Sequence, residues 1–161
     1  IAVTIAYFFF TDKKGYYQLT AFLFTGMTIF LIICTVFPNE LNLRPHTFAN
    51  DTVFTRLVQQ LYSTDTPTNV LPSIHVYNSL GAAIASGHSQ ALKKHRGIQF
   101  VSYGLAGLIV LSTMFLKQHS VTDVIAAVAL TFMIYPLIYV TQTKRALLTI
   151  SGTPCSLSKI I

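Results

Sequence analysis

The chain has 161 residues, of which 52% are hydrophobic and only 10% charged, with a mean hydropathy of +0.57. An average soluble domain is about 25% charged, so these values exclude a disordered segment, a coiled coil and an ordinary water-exposed enzyme. The net charge is +6, but the cations lie between apolar runs rather than along one stripe, which excludes a nucleic-acid-binding face.

In chain order, Ile1–Phe10 is apolar but too short to cross a bilayer. Because it opens on Ile rather than Met, it is expected to be the end of a helix whose beginning is missing. No basic n-region or small-residue cleavage site marks it as a signal peptide. Tyr16–Phe37 carries no charge and exceeds the roughly 20 apolar residues that a helical span requires. The longest connection, 38–70, contains Phe54, Leu57, Val58 and Leu61 at i, i+3, i+4, i+7, the period of a helix with one apolar face. Asn50 and Asp51 offer an N-cap and Pro67 a stop. Two readings fit this segment: a helix lying at the membrane interface over the bundle mouth, or a solvated helix in a loop.

Leu71–Ser89 is a weaker span with a polar mouth formed by His75, Asn78 and Ser79. Its Gly81, Ala82, Ala83, Ala85, Ser86 and Gly87 suit close helix packing. Ile98–Leu116 and Val124–Gln142 are uncharged spans, the second expected to bend at Pro136. Residues 143–161, including Ser151-Gly152-Thr153-Pro154, are expected to form a cytoplasmic tail. Cys34 and Cys155 supply neither a disulfide framework nor a Cys-rich zinc site. The expected fold is all-α: one polytopic membrane helix bundle over residues 1–161, with five segments visible of an expected six-helix core.

Short cytoplasmic loops collect Lys and Arg. With alternating spans, Lys13, Lys14, Lys93, Lys94, Arg96, Lys144, Arg145 and Lys159 all fall on one side. Arg44, Arg56 and Lys117 fall on the other, with Glu40, Asp51, Asp65 and Asp123. On that outer face three separated fragments share one depth: Arg44-Pro45, Pro72-Ser73-Ile74-His75, and His119 with Asp123. Ionisable groups near a membrane are costly and commonly face a functional cavity. As i and i+4, His119 and Asp123 are expected to share a helix face, so that the carboxylate orients the imidazole.

Two histidines, a carboxylate and an arginine are what metal-free cleavage of a phosphate ester requires: a nucleophile, an acid for the leaving oxygen, and donors for the transition-state charge. A helix starting near Ser73 adds backbone N–H groups suited to an anion, and Arg44 adds a planar fork. Simpler roles exist for each part. Arg44 alone fits a lipid headgroup anchor, His-x3-Asp alone fits two metal ligands, and Lys117 fits either a boundary residue or a second phosphate cation. His46, His88 and His95 are expected to be packed or interfacial.

At these residues the chain resembles the type-2 phosphatidic acid phosphatase superfamily, whose pattern is Lys-x6-Arg-Pro, Pro-Ser-Gly-His and Ser-Arg-x5-His-x3-Asp on a six-helix membrane core. The matching residues are Arg44-Pro45, Pro72-Ser73-Ile74-His75, and Ser112-Thr113 followed by His119 and Asp123. Phe37, Ile74 and Thr113 stand where the pattern has Lys, Gly and Arg, and Lys117 is a candidate replacement for one lost charge. The Ser-Thr beginning and His-x3-Asp ending are similar to inositol phosphorylceramide synthase-like members.

The resemblance implies His119 as nucleophile forming a phosphohistidine, Asp123 as its orienting carboxylate and His75 as acid and base. Arg44, Ser73 and Ile74 are implied as phosphate-binding, and Lys117 is expected to join them as a replacement cation outside the pattern. No metal or other cofactor is implied. The expected activity is hydrolysis of a lipid phosphate or diphosphate at the extracytoplasmic face of a multi-pass membrane protein, with membrane lipids as its surroundings. The rivals are head-group transfer to an alcohol and non-catalytic lipid carriage.

Overall fold

The computed structural model describes residues 1–40, 42, 44–45, 51–65 and 68–141. His46, Pro67, Cys155 and the expected tail at 143–161 lie outside the described residues. The described chain is an all-α helix bundle.

The first helix, α1 (Ala2–Thr11), is separated from α2 (Lys13–Val36) by Asp12 alone. The Asp12 carboxylate accepts the Gly15 N–H at 2.9 Å. This cap places Lys13 and Lys14 inside α2, so the helix begins before the uncharged run does. Next comes α3 (Val53–Thr64), where Thr52, rather than Asn50 or Asp51, is the N-cap. Thr52 and Thr55 satisfy each other's backbone N–H groups in a reciprocal capping box. None of the α3 residues is buried, and its Phe54 and Leu57 project outward.

Ser73 caps α4 (Ile74–His88), accepting the Val76 N–H at 3.4 Å. This helix has 15 residues, so it is about 22 Å long and shorter than a bilayer core of about 30 Å. The expected span Leu71–Ser89 is observed as this helix, which runs through the centre of the bundle with α2, α5 (Arg96–Phe115) and α6 (Val121–Tyr135) packed on it. Its small residues make that burial possible: Gly81, Ala82, Ala83, Ala85 and Ser86 are all buried. Among the described residues, the helices long and apolar enough to cross a membrane by length and composition are Lys13–Val36, Arg96–Phe115 and Val121–Val140. Proline at 136 has no N–H to continue the ladder, and the chain passes there into a wider π-type turn, Pro136–Val140.

A close contact joins α2 to α4. The Phe22 and Tyr77 rings stack with centroids 4.6 Å apart, and the Tyr77 hydroxyl donates to the Phe22 carbonyl at 2.8 Å. A Cβ at Gly26 would fall 2.0 Å from the Tyr77 ring, so only glycine admits this approach. Outside the core, apolar side chains from Leu108 (64% exposed) to Phe10 (83% exposed) face outward. Such an apolar exterior is stable against lipid rather than water.

Candidate active site

Two helix starts are tied together at one end of the bundle. The Ser73 N–H, just ahead of α4, donates to the Asp123 carbonyl in the first turn of α6 at 3.2 Å. A capping box begins α6: the Asp123 carboxylate accepts the Ser120 N–H at 2.7 Å, while the Ser120 hydroxyl accepts the Asp123 N–H at 3.3 Å. His119 precedes that cap, so it does not share a helix face with Asp123 as expected. The turn after α5 delivers it instead, with the N–H groups of Gln118 and His119 both donating to the Thr113 carbonyl. The cap then folds the carboxylate back until Asp123 Oδ2 lies 3.8 Å from His119 Nδ1. The signal for this was in the sequence as Ser120-x-x-Asp123, a capping-box pattern.

His119 is 8% exposed, and its Nδ1 is buried with no hydrogen-bond partner. His75, in the first turn of α4, is exposed, with its ring centroid 5.8 Å from that of His119. Both histidines line a cleft of about 320 Å³ together with Ile74. The first N–H groups of a helix have no intrahelical partner, and those of Ile74 and His75 stand at this cleft. The opposite wall is Thr68–Val70, clamped to the end of α2 by Asn39, whose side-chain oxygen accepts the N–H groups of Val70 (2.8 Å) and Leu71 (3.1 Å).

The remaining wall carries a charge. Asp65, the C-cap of α3, lines the cleft and binds Arg44 Nη2 at 2.9 Å and Gln118 Nε2 at 3.1 Å. Arg44 also donates to the backbone carbonyls of Tyr62 and Asp65 and lies 4.9 Å from the Tyr62 ring centroid. The Tyr62 hydroxyl donates to the Leu116 carbonyl at 2.8 Å, which fastens α3 to the end of α5.

Burial, and then the neighbouring His75, hold the His119 pKa below its ordinary value; Asp123, Asp65 and the Val70 carbonyl oppose that shift. The result is a neutral imidazole at neutral pH, which is the form that has a lone pair to donate. Among the described residues no group of three His, Cys, Asp or Glu side chains is arranged to hold a metal ion.

The sequence profile of the PAP2 superfamily matches residues 18–147. The chain belongs to that superfamily. No curated protein and no solved structure matches it at a significant level. PAP2 members are phosphatases and phosphotransferases that act on phosphate esters. Together with the three long apolar helices among the described residues, membership makes this chain an integral membrane protein of an enzyme superfamily.

Within this PAP2 chain, the cleft brings together His75, His119 and Ile74, with Asp123 behind His119. The other residues implied for phosphate binding are placed differently. Ser73 is fully buried and its hydroxyl is engaged as the α4 cap; Arg44 is held by Asp65 and does not line the cleft. Lys117 is exposed, has a left-handed backbone (φ 50°), and is not part of the cleft wall. Thr113, at the pattern's arginine position, is buried and bonds its hydroxyl to Val110. Asp65, Gln118 and Asn39 received no role from the sequence. For Asp65 a signal existed, since a carboxylate in so sparsely charged a chain calls for a partner.

Proposed function

We propose that the chain hydrolyses a lipid phosphate or diphosphate, without a metal, through a phosphohistidine on His119. The carrying observation is the pair of histidines 5.8 Å apart at one cleft, with a carboxylate 3.8 Å behind the buried one. With Nδ1 facing Asp123, His119 presents Nε2 to phosphorus. Its lone pair forms the P–N bond as the P–O bond to the lipid breaks, and protonated His75 gives its proton to the departing oxygen. Neutral His75 then takes a proton from water as the water oxygen attacks phosphorus. The P–N bond breaks, phosphate leaves and the His119 lone pair returns. Asp123 closes on Nδ1 as positive charge develops on the ring.

The phosphoryl oxygens are received by the N–H groups of Ile74 and His75 at the α4 N-terminus, beside the Ser73 cap. Arg44 serves them by exchanging Asp65 for substrate, and exposed Lys117 draws the anion to the mouth. Lys13, Lys14, Lys93, Lys94 and Arg96 sit at the end of the bundle away from the cleft. This supports an extracytoplasmic site in a multi-pass protein with a lipid substrate whose tail stays in the bilayer. The unit is taken as a single domain, with α3 lying over the cleft mouth at the membrane interface.

The test is phosphate release from a panel of lipid phosphates and diphosphates in detergent with chelator, comparing wild type with His119→Ala. Release that disappears in the variant supports the reading. Release that survives in the variant overturns the histidine mechanism, and release abolished by chelator overturns metal independence. A new diester formed only when an alcohol is added shows transfer instead of hydrolysis.

A further inference from the structure

About 20 Å along α4 from His75, a second cavity opens at the other end of the bundle. It has a volume of about 300 Å³, and Asp12, Lys14, Gln18, His88, Ser89 and Lys93 line it. Gln18 is only 6% exposed, and its amide makes no hydrogen bond among the described residues while opening into the cavity. The amide thus keeps its hydrogen-bonding capacity free for whatever occupies the cavity. Asp12 does not supply a partner. Its carboxylate oxygens are engaged by the Gly15 N–H at 2.9 Å and the Ser89 hydroxyl at 3.0 Å. Lys14 and Lys93 are exposed at the rim, so the open donors and the unpaired charge all favour an anion.

An apolar groove of about 420 Å³ lies against the same wall, between α4, α5 and α6. Leu80, Ile84, Tyr103, Val128 and Phe132 line it, and Phe132 is 72% exposed on the outer surface of the bundle. His88 borders both spaces. Its ring is fixed by the Ile84 carbonyl at Nδ1 and the Tyr135 hydroxyl at Nε2, each at 3.0 Å. A polar, cationic cavity beside an apolar groove open to the bilayer has the division of a phospholipid: a phosphate head and an acyl chain.

We propose that this end of the bundle binds one anionic phospholipid, with its phosphate against Gln18, Lys14 and Lys93 and an acyl chain in the Leu80–Phe132 groove. The site is separate from the histidine cleft and does not depend on the proposed reaction. The experiment is native mass spectrometry of the full chain released from detergent, carrying His75→Ala and His119→Ala so that nothing is turned over. Dioleoylphosphatidylglycerol is compared with dioleoylphosphatidylcholine as the probe.

One phosphatidylglycerol is expected to be retained per chain in preference to phosphatidylcholine. Adding Lys14→Ala with Lys93→Ala should reduce that retention about tenfold or more. Gln18→Glu, nearly isosteric but negative, should do the same without removing a surface charge. Retention that persists against excess inorganic phosphate supports a lipid occupant, and displacement by phosphate alone overturns it. Equal retention of the two lipids, or retention unchanged in both the lysine and the Gln18 variants, also overturns the proposal.

Discussion

Two histidines sit at opposite ends of the bundle and are treated in opposite ways. His88 is exposed, yet both of its ring nitrogens are engaged, one by the Ile84 carbonyl and one by the Tyr135 hydroxyl. His119 is buried, yet its Nδ1 has no hydrogen bond and stands 3.8 Å from the carboxylate nearest to it. Burial without satisfaction is expensive and uncommon. It persists at His119 because the surroundings dictate it: the Thr113 turn fixes the backbone, and the Ser120 cap commits the Asp123 carboxylate to a backbone N–H. A ring whose bonds are complete holds structure, whereas a ring with one bond still to form can gain it as charge develops in a reaction.

The largest effect that would sharpen this contrast is His119→Ala, expected to lower phosphate release by about 10³-fold or more. Its thermal unfolding midpoint should fall less than that of His88→Ala. The reverse ranking in melts and assays would break the contrast. Asp123→Asn retains an oxygen for the α6 cap but loses the charge facing His119, so kcat should fall by about 10²-fold with the helix content seen by circular dichroism unchanged.

A smaller effect concerns pH. Burial and His75 lower the His119 pKa from 6.5, so the acid limb of kcat/KM should lie below 6.5. Asp65 opposes that lowering, and Asp65→Asn should therefore move the limb to still lower pH, as read from a pH–rate profile. The same depression affects stability. Between the folded His119 pKa and 6.5 the unfolded chain binds more protons, so stability increases with pH there and its His119 contribution is lost as pH falls through that window. Smallest is Tyr135→Phe, which removes a bond to His88 and should cost about 1 kcal/mol in a denaturant melt.

The long apolar helices were legible because lipid-facing segments need no alternation of polar and apolar residues, so uninterrupted runs reveal them. Their ends were less legible: Asp12 begins α2 ahead of its apolar run, and Thr52 rather than Asn50 or Asp51 begins α3. Leu71–Ser89 was legible as a closely packed helix from its small residues, whereas its start was fixed only by the Ser73 cap and its end falls at His88. Of the candidate site, His75, His119 and Asp123 could be picked out because intramembrane ionisable groups are rare. The Arg44–Asp65 pair could not, because it joins residues 21 apart across α3, and no local period records such a contact. Nor does spacing reveal that His119 lies outside α6; only the Ser120 cap does.

The stereochemical course at phosphorus tests the central claim most directly. It is followed with a lipid phosphorothioate made chiral at phosphorus by oxygen isotopes. Attack by His119 followed by attack of water inverts the centre twice, so the account predicts net retention of configuration. Net inversion would mean a single direct displacement by water, and would contradict a covalent role for His119.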